Sequence, residues 1–182
     1  MTNMDNKYIG FLELAQSRYS VRDYLDKKVE KEKLDKILEA GRIAPTACNM
    51  QPQKIIVVQG DEGLRKIGLA ANIYGAPLAM IICSDITKSW TRFFDSKQYN
   101  DIDASIITDH MMLESVDQGL GSVWIGYFDP DIIKREFNLP SNIEPINILA
   151  IGYASKNTEA AHNHLNNRKC IDEIVCYESY KS

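Results

Sequence analysis

Leu78-Ala79-Met80-Ile81-Ile82-Cys83-Ser84 is the stretch on which the fold turns. A strand wetted on one face alternates apolar and polar residues, and this one stays apolar until Ser84, so both of its faces are expected to be covered. The apolar run 76–83 is far too short to span a bilayer. Outward from it, strands and helices alternate. Residues 54–59 are rich in β-branched side chains and read as a strand. Residues 61–72 read as a helix capped by Asp61. Beyond the central run come strands at 122–127 and 146–154. The helix over 29–43 is plainly amphipathic, with Leu34, Ile37, Leu38 and Gly41 at i, i+3, i+4, i+7. A long helix spans 101–118, with Ile102, Ile106, Met112 or Leu113, and Val116 on one side. Gly119 to Gly121 end it. Asp129 reads as an N-cap and Pro130 as the first residue of a helix running to Phe137. Residues 8–16 read as a short buried helix carrying Ile9, Phe11, Leu12, Leu14 and Ala15. The pattern predicts an α+β fold in three layers, α/β/α.

The chain has 182 residues, enough for one domain with a normal core. It is 45% hydrophobic and 25% charged, with a formal net charge of −4. That balance argues against nucleic acid as a partner, since phosphate binding wants a basic face. Cys48, Cys83, Cys170 and Cys176 form no CxxC pair and no disulfide framework, so reduced thiols in a cytoplasmic protein are expected. Residues 1–8 are polar and hold no signal-peptide core. No membrane segment is expected.

Three polar segments stand out. Arg18-Tyr19-Ser20-Val21-Arg22 sets two guanidinium groups and a hydroxyl just past a helix. Arginine forks match phosphate oxygens, although the same residues suit a solvated basic loop. Ala44-Pro45-Thr46-Ala47-Cys48-Asn49-Met50-Gln51-Pro52 is crowded with amide and hydroxyl groups. They suit a heterocycle with alternating donors and acceptors, or a turn that caps its own backbone. Gly119-Leu120-Gly121 is followed by Trp124 where a dinucleotide fingerprint needs its third glycine, which excludes a Rossmann site. Trp124-Ile125-Gly126 instead ends a strand in a glycine, open to close approach by a flat ligand. Arg168-Lys169 is a further anion contact or a solubilising pair. His162 and His164 have no third ligand beside them, so no metal site is expected. Cys48 has no activating neighbour, and no nucleophile with a base is evident. The aromatic residues Trp90, Phe93, Phe94 and Tyr99 suggest a loop or lid, or a small satellite core. Residues 155–182 begin polar and end apolar, an arm that must dock on its own sheet edge or a partner's.

In order along nearly the whole chain, these segments resemble the nitroreductase family of FMN-dependent oxidoreductases. Residues 18–22 resemble the family's Arg-x-Ser-x-Arg/Lys signature and 44–52 its Pro-Ser-x-x-Asn-x-Gln-Pro-Trp loop. Residues 119–126 resemble Gly-Leu-Gly-x-x-x-Ile-Gly, and 168–175 resemble the ending Arg-Lys-x-Leu-x-Glu-Ile-Val. Gln53 stands where the family has Trp, Thr46 where the loop has serine, and the 84–101 region is short. The resemblance implies a single FMN-binding domain over 1–182, a mixed sheet flanked by helices, and a homodimer in which the 155–182 arm crosses to the partner. It places FMN at the interface. Arg18 and Ser20, with Tyr19 between them, would hold the phosphate and Arg22 the pyrimidine edge. Pro45, Thr46, Ala47, Asn49 and Gln51 would form the loop supplied by the other protomer. Asn72 would reach the ring, Ile125 and Gly126 would lie near N5, and Arg168 and Lys169 would return to the phosphate. The implied reaction passes electrons from NAD(P)H to a small oxidant such as a nitroaromatic or quinone, by a ping-pong mechanism. The chemistry sits on FMN, with no catalytic side chain and no metal. Two alternatives stay open: a flavoenzyme of the same fold with another reaction, such as reductive dehalogenation or flavin breakdown, and a flavin-binding protein without turnover.

Overall fold

All eight residues of strand β2 (Leu78–Asp85) are buried. The strand is interior, with β1 (Gln53–Val58) on one side and β4 (Ile143–Gly152) on the other; β3 (Gly121–Ile125) completes the order β1-β2-β4-β3. The structure is a computed structural model and describes residues 10–155 and 165–180. All three strand pairings are antiparallel. The mixed sheet implied by the resemblance is therefore corrected: parallel pairing among the described residues is confined to the single bridge Ser20–Ser122.

Side chains alternate along β2, so its two sets of apolar residues enter two cores. Ala79, Ile81 and Cys83 face one way with Ile148 and Ala150 of β4, and Ile67 and Ile133 cover them. These two come from α3 (Asp61–Gly68) and α5 (Pro130–Glu136). Leu78, Met80 and Ile82 face the other way with Leu149 and Ile151, under Leu34, Ile37, Ile107 and Met111. Those belong to α2 (Lys31–Ile43) and α4 (Asn100–Asp117). Each large aliphatic side chain buried in this way contributes about 1.5–3 kcal/mol. Gly41 lets α2 and α4 meet closely, since a Cβ there would stand 2.9 Å from the Met111 sulfur. The result is the three-layer α/β/α arrangement expected from the sequence.

The local stop signals hold. The Asp129 side chain accepts from the backbone N–H groups of Asp131 and Ile132 at 2.9 and 3.2 Å, with Pro130 as the first residue of α5. Gly119 ends α4 in the left-handed region, at φ +73°, and Leu120 N–H returns to the Ser115 carbonyl at 2.9 Å.

Several expectations are corrected. The fully buried residues of α4 are Asp103, Ala104, Ile107, Thr108, Met111 and Ser115; of the apolar side made by Ile102, Ile106, Met112 or Leu113, and Val116, Ile106 and Met112 pack part-buried against the same core. Polar residues disguise the true face, because two of them return hydrogen bonds to their own helix. Thr108 donates to the Ala104 carbonyl and Ser115 to the Met111 carbonyl, both at 2.7 Å. Gly60 precedes α3 and no side chain caps it, so Asp61 is the first helical residue instead of the cap; the helix ends at Gly68 and leaves Asn72 in a turn. Helix α1 (Phe11–Ser17) buries no residue, and Phe11 and Leu12 are 73% and 69% exposed. Tyr8 and Ile9 lie outside the described residues. The aromatic cluster splits: Trp90 and Tyr99 pack edge to face with ring centroids 4.7 Å apart, while Phe93 and Phe94 stand almost wholly exposed at the tip between them. Residues 165–180 form no strand on the chain's own sheet edge, one of the two docking places expected of the arm. They hold one helical turn, α6 (Ile171–Ile174), with Ile171, Ile174, Tyr177 and Tyr180 exposed.

Candidate functional site

The arginine stretch leaves α1 in extended form and runs beside the β3 edge. Val21 N–H donates to the Ser122 carbonyl at 3.0 Å, and the Val21 side chain is fully buried. Gly121 makes this approach possible, since a Cβ on it would lie 2.4 Å from Val21 Cγ2. Tyr24 locks the other end: its hydroxyl, within 2.9 Å of the Val21 carbonyl oxygen and 3.2 Å of that of Ala150, donates between them. Burial, chiefly, raises the Tyr24 pKa above its ordinary value, so the phenol keeps its proton.

With Val21 turned into the core, the polar members of the stretch are left to meet other charges. Arg18 is half-buried. Burial first, and then the nearby Arg168 guanidinium, push its pKa below the ordinary value, while Asp109 of α4 pulls it back up. The like charge that Arg168 brings from the other end of the chain disfavours the Arg18 cation, and an anion beside Arg18 would offset it. Lys169 is exposed beside Arg168. Arg22 stands over the Tyr74 ring, 6.0 Å from its centroid. Tyr74 N–H in turn donates to Asn72 Oδ1 at 2.8 Å. Arg22 and Asn72 thus share one neighbourhood through Tyr74. The 126–129 turn is tied to the same region, since Asp129 N–H donates to the Ala70 carbonyl at 3.1 Å. Gly126 follows buried Ile125 at the end of β3, and nothing stands within 4 Å of where its Cβ would be. Its backbone is open to a flat ligand.

The polar loop is built differently. Cys48, Asn49 and Gln51 all lie in the left-handed region, at φ 49°, 55° and 50°. A non-glycine residue there costs about 1–2 kcal/mol, and asparagine bears it best. Local hydrogen bonds offset the cost: Gln51 N–H donates to Thr46 Oγ1 at 3.1 Å, and Asn49 N–H to the Thr46 carbonyl at 3.0 Å. Thr46 therefore does with its hydroxyl what a serine would do. Ala47 N–H donates to Asp103 Oδ1 of α4 at 2.9 Å. Among the described residues no hydrogen bond joins this loop to the arginine stretch. Within one chain the two sets of candidate residues remain separate clusters, each with a tie to α4.

Asp103, Asp109, Tyr74 and Gly121 escaped the sequence reading as site residues. Asp103 was legible only once the buried face of α4 was known. His162 and His164 fall outside the described residues, and among the described residues no group of three His, Cys, Asp or Glu side chains could hold a metal. Cys48 is exposed in the strained loop; Cys83 is buried, which pushes its pKa up to about 12. Neither is placed as an activated thiol, so Cys48→Ser is expected to retain most of the reductase turnover. Loss of turnover with cofactor still bound would overturn that.

The nitroreductase family model matches residues 15–74 and 68–153 of this chain. A putative NADH dehydrogenase/NAD(P)H nitroreductase of Methanothermobacter thermautotrophicus is 32% identical over 80% of this chain and 78% of its own. An FMN reductase [NAD(P)H] of Bacillus subtilis is 28% identical over 90% of this chain and 78% of its own. The crystal structure of a nitroreductase family protein from Clostridium difficile 630 is 57% identical, covers 94% of this chain and 100% of that one, and superposes with a TM-score of 0.91. An FMN-dependent nitroreductase from Clostridium difficile R20291 is 30% identical over 93% and 99% of the two chains, with a TM-score of 0.75. By its antiparallel sheet between two helical layers, its ordered motifs and these matches, the chain belongs to the nitroreductase family.

Proposed function

We propose that this protein holds FMN and passes electrons from NAD(P)H to a small oxidant such as a nitroaromatic or a quinone. It is an oxidoreductase of a flavin-dependent family whose named members use NAD(P)H. The observation that carries the FMN reading is the seating of the arginine stretch against β3 by the Val21–Ser122 hydrogen bond, with Arg168 near enough to lower the Arg18 pKa; a phosphate would suit that pair of cations. Open space at Gly126 and the polar, strained 46–51 loop fit the flat, hydrogen-bonding ring attached to it.

In this reading Arg18, Ser20, Arg168 and Lys169 bind the phosphate. Tyr19 packs the stretch against the core. Arg22, steadied over Tyr74, sets a fixed positive charge at the polar edge of the ring. Asn72 orients toward the same edge, and Ile125 and Gly126 offer backbone at the ring. Pro45, Thr46, Ala47, Asn49 and Gln51 come from the partner protomer, which agrees with their separation from the arginine stretch within one chain. FMN supplies the two-electron chemistry when bound, and no protein acid or base is required. The whole chain acts as one domain with residues 155–182 as its arm. The exposed Phe11, Leu12, Ile171, Ile174 and Tyr177 are apolar surface that a second copy would cover, so sedimentation at micromolar concentration should give a dimer.

The purified protein should be yellow, and mass analysis of the released chromophore should return FMN. A colourless protein that takes up no added FMN would overturn the reading. Donor and acceptor share one open face and must take turns, so initial rates at several fixed acceptor levels should give parallel double-reciprocal lines. Intersecting lines would mean that both are held at once.

A further inference from the structure

We infer that Asp103 is the positioning residue that fixes the 46–51 loop in its left-handed form. This rests on the reading above that the loop serves the cofactor.

Of the hydrogen bonds made by residues 46–51, the one from Ala47 N–H to Asp103 Oδ1, at 2.9 Å, is the only one among the described residues that leaves the loop. The others are internal, and a loop cannot hold itself against α4 by bonds within itself. Asp103 is well placed to do so. It lies in the first turn of α4, where the helix dipole favours a carboxylate, and it is 1% exposed. Its backbone is fixed as well, with Asp103 N–H donating to the Tyr99 carbonyl at 2.8 Å. A buried carboxylate is costly unless it is hydrogen-bonded, and Ala47 N–H supplies such a bond to Oδ1.

Further buried polar atoms lie on the same side of the sheet as α4. Asp103 Oδ2, Ser84 Oγ and Gln53 Oε1 are all buried without a hydrogen-bond partner. Gln53 and Ser84 are directly opposite each other across β1 and β2. By alternation from Met80 and Ile82 they face α4. The loop therefore leads into β1 where the first residue, Gln53, is polar and pairs with polar Ser84 on the α4 side of the sheet. There the Asp103 carboxylate is held by the helix while its Oδ1 grips the loop.

The test uses Asp103→Ala and Asp103→Asn in the otherwise intact protein, with amide hydrogen exchange of the 46–51 segment and FMN affinity as readouts. Asn keeps an acceptor for Ala47 N–H; Ala does not. Asp103→Ala should speed exchange in the loop by about 10-fold and weaken FMN binding by about 10-fold, as for loss of one hydrogen bond, while Asp103→Asn stays near wild type. Ala47→Pro removes the donor instead, and Thr46, at φ −130° and ψ 158°, already has the backbone that precedes a proline. In that background Asp103→Ala should add nothing to the loss of FMN affinity. Unchanged loop exchange in Asp103→Ala, an Asn variant as impaired as the Ala variant, or full additivity with Ala47→Pro would each overturn the inference. Faster exchange with unchanged FMN affinity would leave Asp103 as the loop's anchor and remove the loop from the cofactor.

Discussion

Replacing Arg18 by alanine should weaken FMN binding by about 1.5–3 kcal/mol, roughly 10- to 150-fold, the usual range for a hydrogen bond to a charged group. The expectation has a particular sign structure. In the protein alone, Arg18 faces a like charge on Arg168 and an opposite one on Asp109. Its removal relieves a repulsion as well as losing an attraction, so the cofactor-free protein should not lose thermal stability. The increase in Tm on adding FMN should shrink, because that increase follows from binding to the folded state alone. A simple packing role for Arg18 would give the reverse: a less stable cofactor-free protein with an unchanged FMN affinity. Arg168→Ala should behave alike. The double variant should fall short of the sum of the two, since both guanidinium groups address one anion. Isothermal titration of the three variants measures all of this, and an Arg18→Ala affinity within about 2-fold of wild type would remove the phosphate assignment.

Gly121→Ala is the second large effect, and it starts from a steric contact. A Cβ at this position would stand 2.4 Å from Val21 Cγ2 and 3.0 Å from Val21 Cβ. Val21 is fully buried, so its side chain has nowhere to swing. The Ser20–Ser122 bridge must open or β3 must shift, at a cost of about 1–3 kcal/mol for overpacking a filled core. The segment that moves carries Arg18, Ser20 and Arg22, so FMN affinity should fall together with stability. Val21→Ala opens room for the added methyl. The Gly121→Ala/Val21→Ala pair should therefore recover part of both losses relative to Gly121→Ala alone. Chemical denaturation and FMN titration on the same samples read the two effects. A stable Gly121→Ala protein with normal FMN binding would show that the arginine stretch does not depend on its seat against β3.

The sequence by itself determined what depends on neighbours in the chain. The unbroken apolar run of β2 required cover on both faces, and both cores are there. The 3.6-residue pattern of α2, the Asp129 cap and the Gly119 stop were legible because each is a local contact or a backbone preference. The order of the polar motifs pointed to the family. Where the sequence misled, the deciding contact was long-range. On α4 the apolar residues at Ile102, Ile106 and Val116 suggested a face, yet the buried one includes Asp103, Thr108 and Ser115. Their polarity is compensated by bonds that no pattern of spacing displays. Helix α1 read as buried from its composition, but burial needs a surface to meet, and the described residues of one chain supply none for Phe11 and Leu12.

The candidate site divides in the same way. Its residue types were legible, because phosphate recognition favours arginine and a polar ring favours amides. Only the tertiary structure decided that Arg168 comes near enough to lower the Arg18 pKa from the other end of the chain, that Arg22 and Asn72 meet through Tyr74, and that Gly121 yields its side-chain space to Val21. Only it showed that the strained loop hangs from Asp103. Charge, donor count and periodicity are properties of a residue and its close neighbours, and a sequence displays them directly. Which charge faces which, and which side chain must be absent so that two segments can touch, depends on how the sheet brings distant stretches together, and that is settled only when the core closes.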